Sequence, residues 1–516
     1  MRNREPAAVQ PKNSIGTMAL IALLVSFVLA LIFSGLHPFR QTVQYNAPLP
    51  EFTAYMDKYI PELMDRYAIP GSSIALVKEG KITWLSAYGY ADLEKGQKMT
   101  TDTPMRVQSI SKSVTAWGIL KLAQQGKIIL DLPVAQYLKS WQFPESGFAS
   151  DQVTVRHLLS HTAGLPLGDV FTIYAPEETM PSLQKKLTQE AVLIRDPGTS
   201  FSYSNTGYNL LELLIEEITG QSFAAYMRQE VLNPLGMNRS TFEWSEKLAP
   251  AVPTGYALDG TAVPVYVYPE KASGGLFATA EDIAAFAIAG MEGASRGKQV
   301  LSPGTTEGLY LTASNQIGVY GLVFDSYGLG HYLETLPNGK KAISHGGQGT
   351  GIMTHFHAVP ESGDAIVILT NSQRSWPFIA YLLSDWATWR GFPSVGMGRI
   401  IWGKYLLWAV TGLVWAFVLL QALRLARGIL KGTRQATLPH YFQPLRLAQV
   451  GFAVAIPAVL TWCLGQKYLF LTSVFPRASL GLGSAALLLS AVLLLSALFT
   501  KTAYPLPELS CEQKKY

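Results

Sequence analysis

Cysteine is nearly absent. The 516 residues contain two, Cys463 and Cys511, the first in an apolar run and the second in a polar tail. No disulfide framework and no thiolate metal site can be assembled from such a pair. Region 37–400 holds no cysteine at all, as suits an extracytoplasmic protein that does without disulfides. Charge is scarce as well. Asp, Glu, Lys and Arg make up 15% of the chain against 48% hydrophobic residues, and the mean hydropathy is +0.18. A purely soluble enzyme of this length would be less apolar, so membrane spans are expected. The net charge is only +5 and no basic stretch is interleaved with aromatics, which sets nucleic acid aside as a partner. The chain has no internal repeat and no low-complexity tract.

What charge there is lies around four apolar runs. The first, 16–35, is uncharged and has the length of a transmembrane helix, about 20 residues. Arg2, Arg4 and Lys12 precede it, so its start is expected in the cytoplasm. The alternative is a cleaved signal peptide, but the run exceeds a usual h-region and no Ala-x-Ala site follows. Three more runs lie near 405–423, 447–464 and 480–499. Arg424, Arg427, Lys431, Arg434 and Arg446 follow the first of these, and Lys501, Lys514 and Lys515 follow the last. Four spans with both basic segments inside put the middle of the chain outside. The expected organisation is a cytoplasmic tail (1–15), an anchor (16–36), an extracytoplasmic domain (40–395), three transmembrane helices (403–500) and a cytoplasmic tail (501–516).

The middle region reads as an α/β layer fold. Phe52, Tyr55, Met56, Tyr59, Ile60 and Leu63 recur at helical spacing within 40–70, before Pro70-Gly71. Strands at 73–77 and 81–88 flank Glu79-Gly80, a hairpin signal. Helices are expected over 109–125, closed by Gly126, and over 206–219, closed by Gly220. Thr279-Ala280-Glu281-Asp282 resembles the start of a capped helix. Strands at 352–359 and 365–370 and a helix at 376–389 close the domain. A sheet assembled from the two ends with helices between them is the layer pattern these elements imply.

Three motifs carry the chemistry: Ser109-Ile110-Ser111-Lys112, Tyr203-Ser204-Asn205 and His345-Gly346-Gly347. Ser-x-x-Lys alone says little, because the chain also has it at Ser182/Lys185 and Ser295/Lys298, and such a pair is usually a helix surface or a loop. Context separates the first copy. Ser109 stands at the start of an apolar helix, where free N–H groups and the helix dipole favour developing negative charge. Spacing i, i+3 puts Lys112 on the same face. A lysine buried among apolar neighbours holds its proton loosely and can take one from a serine or share it with a phenol. Tyr203, otherwise an ordinary half-buried tyrosine, sits in a polar loop just before a helix, where a functional side chain can be displayed. His345-Gly346-Gly347 is expected just before a strand, its glycines admitting a substrate backbone to a sheet edge. His355 and His357 share one strand face but lack a third ligand at sensible spacing, so no metal is expected.

In content and order these motifs resemble the serine β-lactamase and penicillin-binding-protein superfamily, most closely its class C β-lactamase, D-Ala-D-Ala carboxypeptidase and esterase branch. The resemblance covers most of 45–390. It includes Thr154-Val155-Arg156-His157-Leu158-Leu159-Ser160-His161-Thr162-Ala163-Gly164-Leu165, Asn233-Pro234-Leu235-Gly236-Met237 and Ala272-Ser273-Gly274-Gly275-Leu276. It implies an antiparallel sheet flanked by helices plus an all-helical lobe, no metal and no organic cofactor. It further implies Ser109 as the acylated nucleophile, with Lys112 and Tyr203 moving its proton and Tyr203 protonating the leaving group. Asn205 would hold the substrate amide and the lysine. His345, with Gly346 and Gly347, would lie near the substrate carboxylate or the tyrosine, and the backbone N–H groups of Ser109 and Gln348 would form the oxyanion hole. Where typical β-lactamases carry a lysine, this chain has His345, mostly neutral at pH 7, which weakens the case for efficient β-lactam hydrolysis.

The expected function is a membrane-anchored, extracytoplasmic serine hydrolase acting through an acyl-enzyme on a small-molecule, peptide or cell-wall substrate. Two alternatives are a prodrug-activating D-amino-acid peptidase and a penicillin-recognising sensor with slow turnover. The layout resembles the prodrug peptidases, but that group has an acid three residues before the nucleophile and an asparagine after His-Gly-Gly-Gln, where this chain has Arg106 and Gly349. The orientation makes one testable statement: protease added to intact cells cuts within 40–390, and protection of that region reverses the topology.

Overall fold

The computed structural model describes residues 14–34, 43–169, 172–295, 297–392, 395–437, 444–466 and 469–501. Arg2, Arg4, Lys12, Lys514, Lys515 and Cys511, on which part of the sequence reading rests, lie outside the described residues. The chain divides into two compact units, Thr42–Ile401 and Met1–Gln41 with Trp402–Tyr516.

The larger unit is built on an eight-stranded antiparallel sheet. Its strands are β1 (Gly71–Lys78), β2 (Lys81–Asp92), β3 (Gln97–Lys98), β4 (Ser326–Tyr327), β5 (Tyr332–Thr335), β6 (Lys341–Gly349), β7 (Ile352–Val359) and β8 (Asp364–Thr370). They lie in the order β3-β2-β1-β8-β7-β6-β5-β4. The seam is β1 against β8, with Ser72 opposite Thr370, so the sheet joins the two ends of the domain as expected. Strands β7 and β8 are buried along their whole length, which is why Asp364–Thr370 is a nearly continuous apolar run rather than an alternating one. Glu79 and Gly80 both take positive φ (52° and 73°), the backbone that a two-residue hairpin turn requires.

Both faces of the sheet are covered. Phe356 packs edge-on against Phe286 (5.9 Å) in the helix Ala280–Ala289, while its neighbour His357 meets Trp386 (5.7 Å) in the helix Trp376–Arg390. Successive strand residues point to opposite faces, so these helices lie on opposite sides. His355 and His357 share the second face as their spacing implied, with ring centroids 6.0 Å apart. The helix Leu49–Tyr67 starts later than the sequence pattern placed it, its first turn set by Pro48 and Pro50.

Between sheet and lobe runs the helix Ile110–Gln124, buried on every side over its first three turns, as a helix without a polar face must be. Against it pack the lobe helices Asn205–Thr219 and Phe223–Met227, and Val155–Leu159 and Leu183–Glu190 pack in turn on Asn205–Thr219. Asn205–Thr219 opens on Ser204, whose Oγ accepts from the Gly207 N–H at 3.0 Å, and stops at Gly220 with φ 66°. Thr279 caps Ala280–Ala289 in the same way, accepting from the Asp282 N–H at 3.1 Å. His345-Gly346-Gly347 precedes β7 as expected, but it also lies inside β6, a strand that the sequence pattern did not mark. Glycine is disfavoured in strands unless a neighbour approaches closely, and here it does so on both faces.

The smaller unit is helical. Three helices are long and apolar enough to cross a membrane: Gly396–Leu430, Pro444–Leu464 and Pro476–Leu498. The apolar helix Ser14–Ser34 carries no acidic or basic residue in its terminal turns. Small residues let these helices approach, as in membrane bundles. Ser490 donates to the Ala453 carbonyl at 2.6 Å, and Gly412 sits against Ala30 and the Ser26 carbonyl.

Asp364, 1% exposed, starts β8 and pairs with Arg390 through Nε–Oδ1 (2.8 Å) and Nη2–Oδ2 (3.3 Å). Arg390→Ala would leave a buried carboxylate unpaired and is expected to cost about 3–5 kcal/mol in denaturant unfolding. A double change of Arg390→Met with Asp364→Asn is expected to recover most of that loss.

Candidate active site

Ser109 occupies the N-cap position of Ile110–Gln124 and is half-buried. Lys112, one turn on, is wholly buried. Its Nζ lies 2.7 Å from Asn205 Oδ1, 2.7 Å from the Ser273 carbonyl oxygen and 3.1 Å from Ser109 Oγ. The first two partners can only accept, so they take two N–H bonds. The third can donate, so a neutral amine would turn its lone pair to the serine hydroxyl. Burial drives the Lys112 pKa well below its ordinary value, because removing water penalises the ammonium and no carboxylate offsets the loss.

The Tyr203 hydroxyl hydrogen-bonds Ser109, and burial raises its pKa well above the usual phenol value. The phenol therefore keeps its proton while the amine gives its own up readily. The Lys112 Nζ lies 5.0 Å from the centre of the Tyr203 ring. His161 packs on the other side of that ring, centroids 4.3 Å apart, with its backbone at φ 58°. Its Nδ1 accepts from the Ser204 N–H at 3.2 Å, so the same histidine orients the ring and holds the loop.

His345 lies beside Tyr203, ring centroids 6.3 Å apart, the second of the two neighbours its motif implied. It is 1% exposed. Its Nδ1 lies 2.8 Å from the Gly346 carbonyl, which can only accept, so Nδ1 carries the proton and Nε2 accepts from the Tyr327 hydroxyl at 3.2 Å. Burial foremost, then the Lys112 charge, pushes its pKa well below the ordinary imidazole value. A neutral histidine with both nitrogens engaged offers no cation to a carboxylate; it fixes the aromatic wall behind Tyr203.

Strand β5 pairs with β6 only from Lys341 to Ser344, so the edge of β6 from His345 to Gly349, Gln348 included, turns toward Ser109. Gly347 makes that approach possible. A Cβ there would collide with the Val107 carbonyl and Thr354 Oγ1, and one at Gly346 would press on Trp376. Thr354 Oγ1 donates to the Val107 carbonyl at 2.8 Å, tying the sheet to the residues that lead into the nucleophile. Trp376 Nε1 donates to Gln348 Oε1 at 3.2 Å.

Several residues around the site were not assigned roles from sequence. Gln108, just before the nucleophile, holds φ at 54° and donates from Nε2 to the Tyr266 hydroxyl at 2.8 Å. Ser273 supplies its backbone oxygen to Lys112; its Ala-Ser-Gly-Gly run was visible, but a carbonyl role leaves no side-chain signal. Glu212 accepts from the backbone N–H groups of Lys271 (2.6 Å) and Ala272 (2.8 Å) and so fixes the turn that presents Ser273. Burial raises its pKa to about 7. Arg106 is 2% exposed, its guanidinium enclosed by the rings of Tyr266 (4.9 Å), Tyr268 (5.1 Å) and Phe277 (4.4 Å) and bonded to the Tyr266 carbonyl. The second Ser-x-x-Lys copy is a helix cap, Ser182 accepting from the Lys185 backbone N–H. In the third, Ser295 lies in a turn and Lys298 in the short helix Gly297–Val300, while Arg296 falls outside the described residues.

Comparison with known proteins gives one family and several relatives. The Beta-lactamase family model matches residues 56–382. Protein flp of Staphylococcus aureus (strain N315) is 32% identical over 221 residues, 42% of this chain and 43% of that protein, so the chain matches less than half the length of this relative. Penicillin-binding protein 4 of Amycolatopsis lactamdurans is 27% identical over 65% of this chain and 90% of its own. The octameric penicillin-binding protein homologue from Pyrococcus abyssi superposes with a TM-score of 0.59 at 26% identity, covering 69% of this chain and 81% of that one.

Gly347→Ala would push β6 away from Val107 and Gln108. It is expected to slow acylation of Ser109 by at least about 100-fold, since misplacement by an ångström costs that much, while Gly147→Ala, in open space, leaves the rate within about twofold. Stopped-flow labelling with a fluorescent penicillin would read both.

Proposed function

Because the chain belongs to the beta-lactamase family, whose fold it shares with penicillin-binding proteins, we propose that it is a membrane-anchored, extracytoplasmic hydrolase that acylates Ser109. The observation that carries this reading is the Lys112 ammonium site: wholly buried, with two acceptor-only partners and Ser109 Oγ as the third at 3.1 Å. A lysine so placed is a base before it is an ion-pair partner.

The steps follow from the protonation states. Neutral Lys112 takes the Ser109 hydroxyl proton as Oγ attacks the carbonyl carbon of an amide or ester. The oxyanion forms against the backbone N–H groups of Ser109 and Gln348, at a helix start and on the stretch of β6 beyond its pairing with β5, where fixed dipoles stabilise it without reorganisation. As the tetrahedral species collapses, the Tyr203 phenol hands its proton to the leaving group and recovers one from the Lys112 ammonium. Water then attacks the acyl-enzyme by the reverse route. Asn205 holds the lysine and faces the acyl amide.

The penicillin-binding names among the relatives support an acyl donor built on a D-amino acid or a cell-wall fragment. Arg106, buried among aromatic rings, stands where a D-asparagine prodrug peptidase has its acid, which speaks against that specificity. The apolar helices support the anchor, and the basic residues between 424 and 446 support their cytoplasmic side.

Labelling with a fluorophosphonate or a fluorescent penicillin tests the assignment. Ser109→Ala and Lys112→Ala are each expected to lose at least about 10³-fold in acylation rate; equal labelling of Ser109→Ala overturns it. The pH profile carries the sign of the lysine. Protonated Lys112 cannot accept, so the rate falls as pH drops through its depressed pKa and reaches its plateau well below the ordinary lysine range. Lys112→Arg, charged at every accessible pH, is expected to show no recovery on the alkaline side.

A further inference from the structure

The wall of the site beside Tyr203 is a five-residue turn, Gly318–Leu322. Tyr320 in that turn packs against Tyr203 (5.5 Å), Phe201 (6.1 Å) and Tyr332 (5.5 Å). Its neighbours face outward: Val319 is 48% exposed and Leu322 61%. Next to Asn205, Leu167 is 44% exposed, and its carbonyl accepts from the Asn205 N–H at 2.9 Å. Exposed apolar side chains thus form a rim that is bonded to, or within two residues of, groups that line the site.

The same turn is tied to the start of an apolar helix. Arg399 Nη1 donates to the Leu322 carbonyl at 3.3 Å, and the Gly396 N–H donates to Glu334 Oε1 at 2.6 Å. Gly396 sits against the Val323 carbonyl so closely that a Cβ there would collide with it. These residues open Gly396–Leu430, a helix long and apolar enough to cross a membrane. Its next turn carries Trp402, 76% exposed, and Lys404 placed over the ring of Tyr405 at 4.3 Å. Tryptophan, tyrosine and basic residues mark the level of the water–lipid boundary, and Arg399 precedes Trp402 by three residues in the same helix.

We infer that the turn Gly318–Leu322 is seated in the surface of a bilayer, and that the acyl donor is an amphiphile whose apolar part stays in the lipid while its ester or amide reaches Ser109. This rests on the hydrolase and anchor readings above. It assigns the apolar rim one occupant, the boundary between headgroups and acyl chains, where Val and Leu side chains lose the cost of facing water. Tyr320 then joins that surface to the phenol of Tyr203, so a substrate entering from the lipid passes directly onto the reacting groups.

The test uses the full chain with Cys463→Ser and Cys511→Ser, in nanodiscs of phosphatidylcholine and phosphatidylglycerol. A nitrobenzoxadiazole dye is attached at Leu322→Cys or, as a control, at Leu93→Cys, which is 50% exposed on the turn between β2 and β3. Aqueous dithionite is expected to reduce the dye at 322 about tenfold more slowly than at 93; equal rates overturn the inference. In the second arm, Val319→Ser with Leu322→Ser is expected to lower hydrolysis of a dodecanoyl ester held in the bilayer about tenfold, with a soluble butyryl ester unaffected. No change on either ester, or equal loss on both, also overturns it. Fluorophosphonate labelling of Ser109 in the same samples reads the hydrolase assignment separately, and co-elution with nanodiscs reads the anchor. The dithionite arm still decides the docking if no ester is turned over.

Discussion

The site depends on one buried ammonium position without a counter-ion. Lys112 is enclosed between the central helix, the Asn205 loop and the Ser273 turn, and each supplies a neutral oxygen rather than a carboxylate. Were a carboxylate in reach, the pair would be stable and chemically idle. Three neutral acceptors are enough to place the amine but not enough to hold its charge, which is how burial becomes basicity. Much of the surrounding structure serves that balance. Glu212 holds the turn that carries Ser273, His161 holds the loop that carries Tyr203, and His345 is kept neutral behind it.

Bringing a strand edge to the nucleophile is the second constraint. Strand β6 reaches Ser109 only because Gly347 has no side chain to strike Val107 and Gln108. Gln108 itself adopts a left-handed backbone, uncommon for a residue with a side chain, at the point where the chain turns from the short strand Met105–Arg106 into the helix. Strain of this kind persists only where neighbours over-determine it. Here the Tyr266 hydroxyl and the sheet do so. Arg106 beneath them is held by three aromatic faces, an arrangement in which guanidinium keeps its charge with little water.

Most of the fold was legible. The helices 49–67, 110–124, 205–219, 280–289 and 376–390 and the strands β1, β2, β7 and β8 follow from apolar spacing and from end signals at Thr279 and Gly220, because local geometry decides those, whereas β3 to β6 and the helices Val155–Leu159, Leu183–Glu190 and Phe223–Met227 left no such pattern. The order of Ser109, Lys112, Tyr203 and Asn205 was legible too, since side-chain chemistry at fixed spacing survives in a string of letters. That His345-Gly346-Gly347 is itself part of a strand was not legible, for a physical reason. Two adjacent glycines signal a turn unless something packs against them, and what packs here, Val107 and Trp376, lies far away in sequence. The burial of His345 beside Tyr203 was hidden on the same ground, because exposure is set by those remote segments.

By itself the sequence determined the parts: an apolar-flanked chain poor in charge and cysteine, a serine, a lysine and a tyrosine in order, and the periodicities that form each helix and strand. Those depend on interactions within a few residues. Tertiary structure alone decided the protonation states, the neutral tautomer of His345, the carbonyl of Ser273 as a lysine partner and the attachment of the Tyr320 turn to the helix at Arg399. Each of these is fixed by desolvation or by contact between segments remote along the chain, and neither quantity is written in any local stretch of residues.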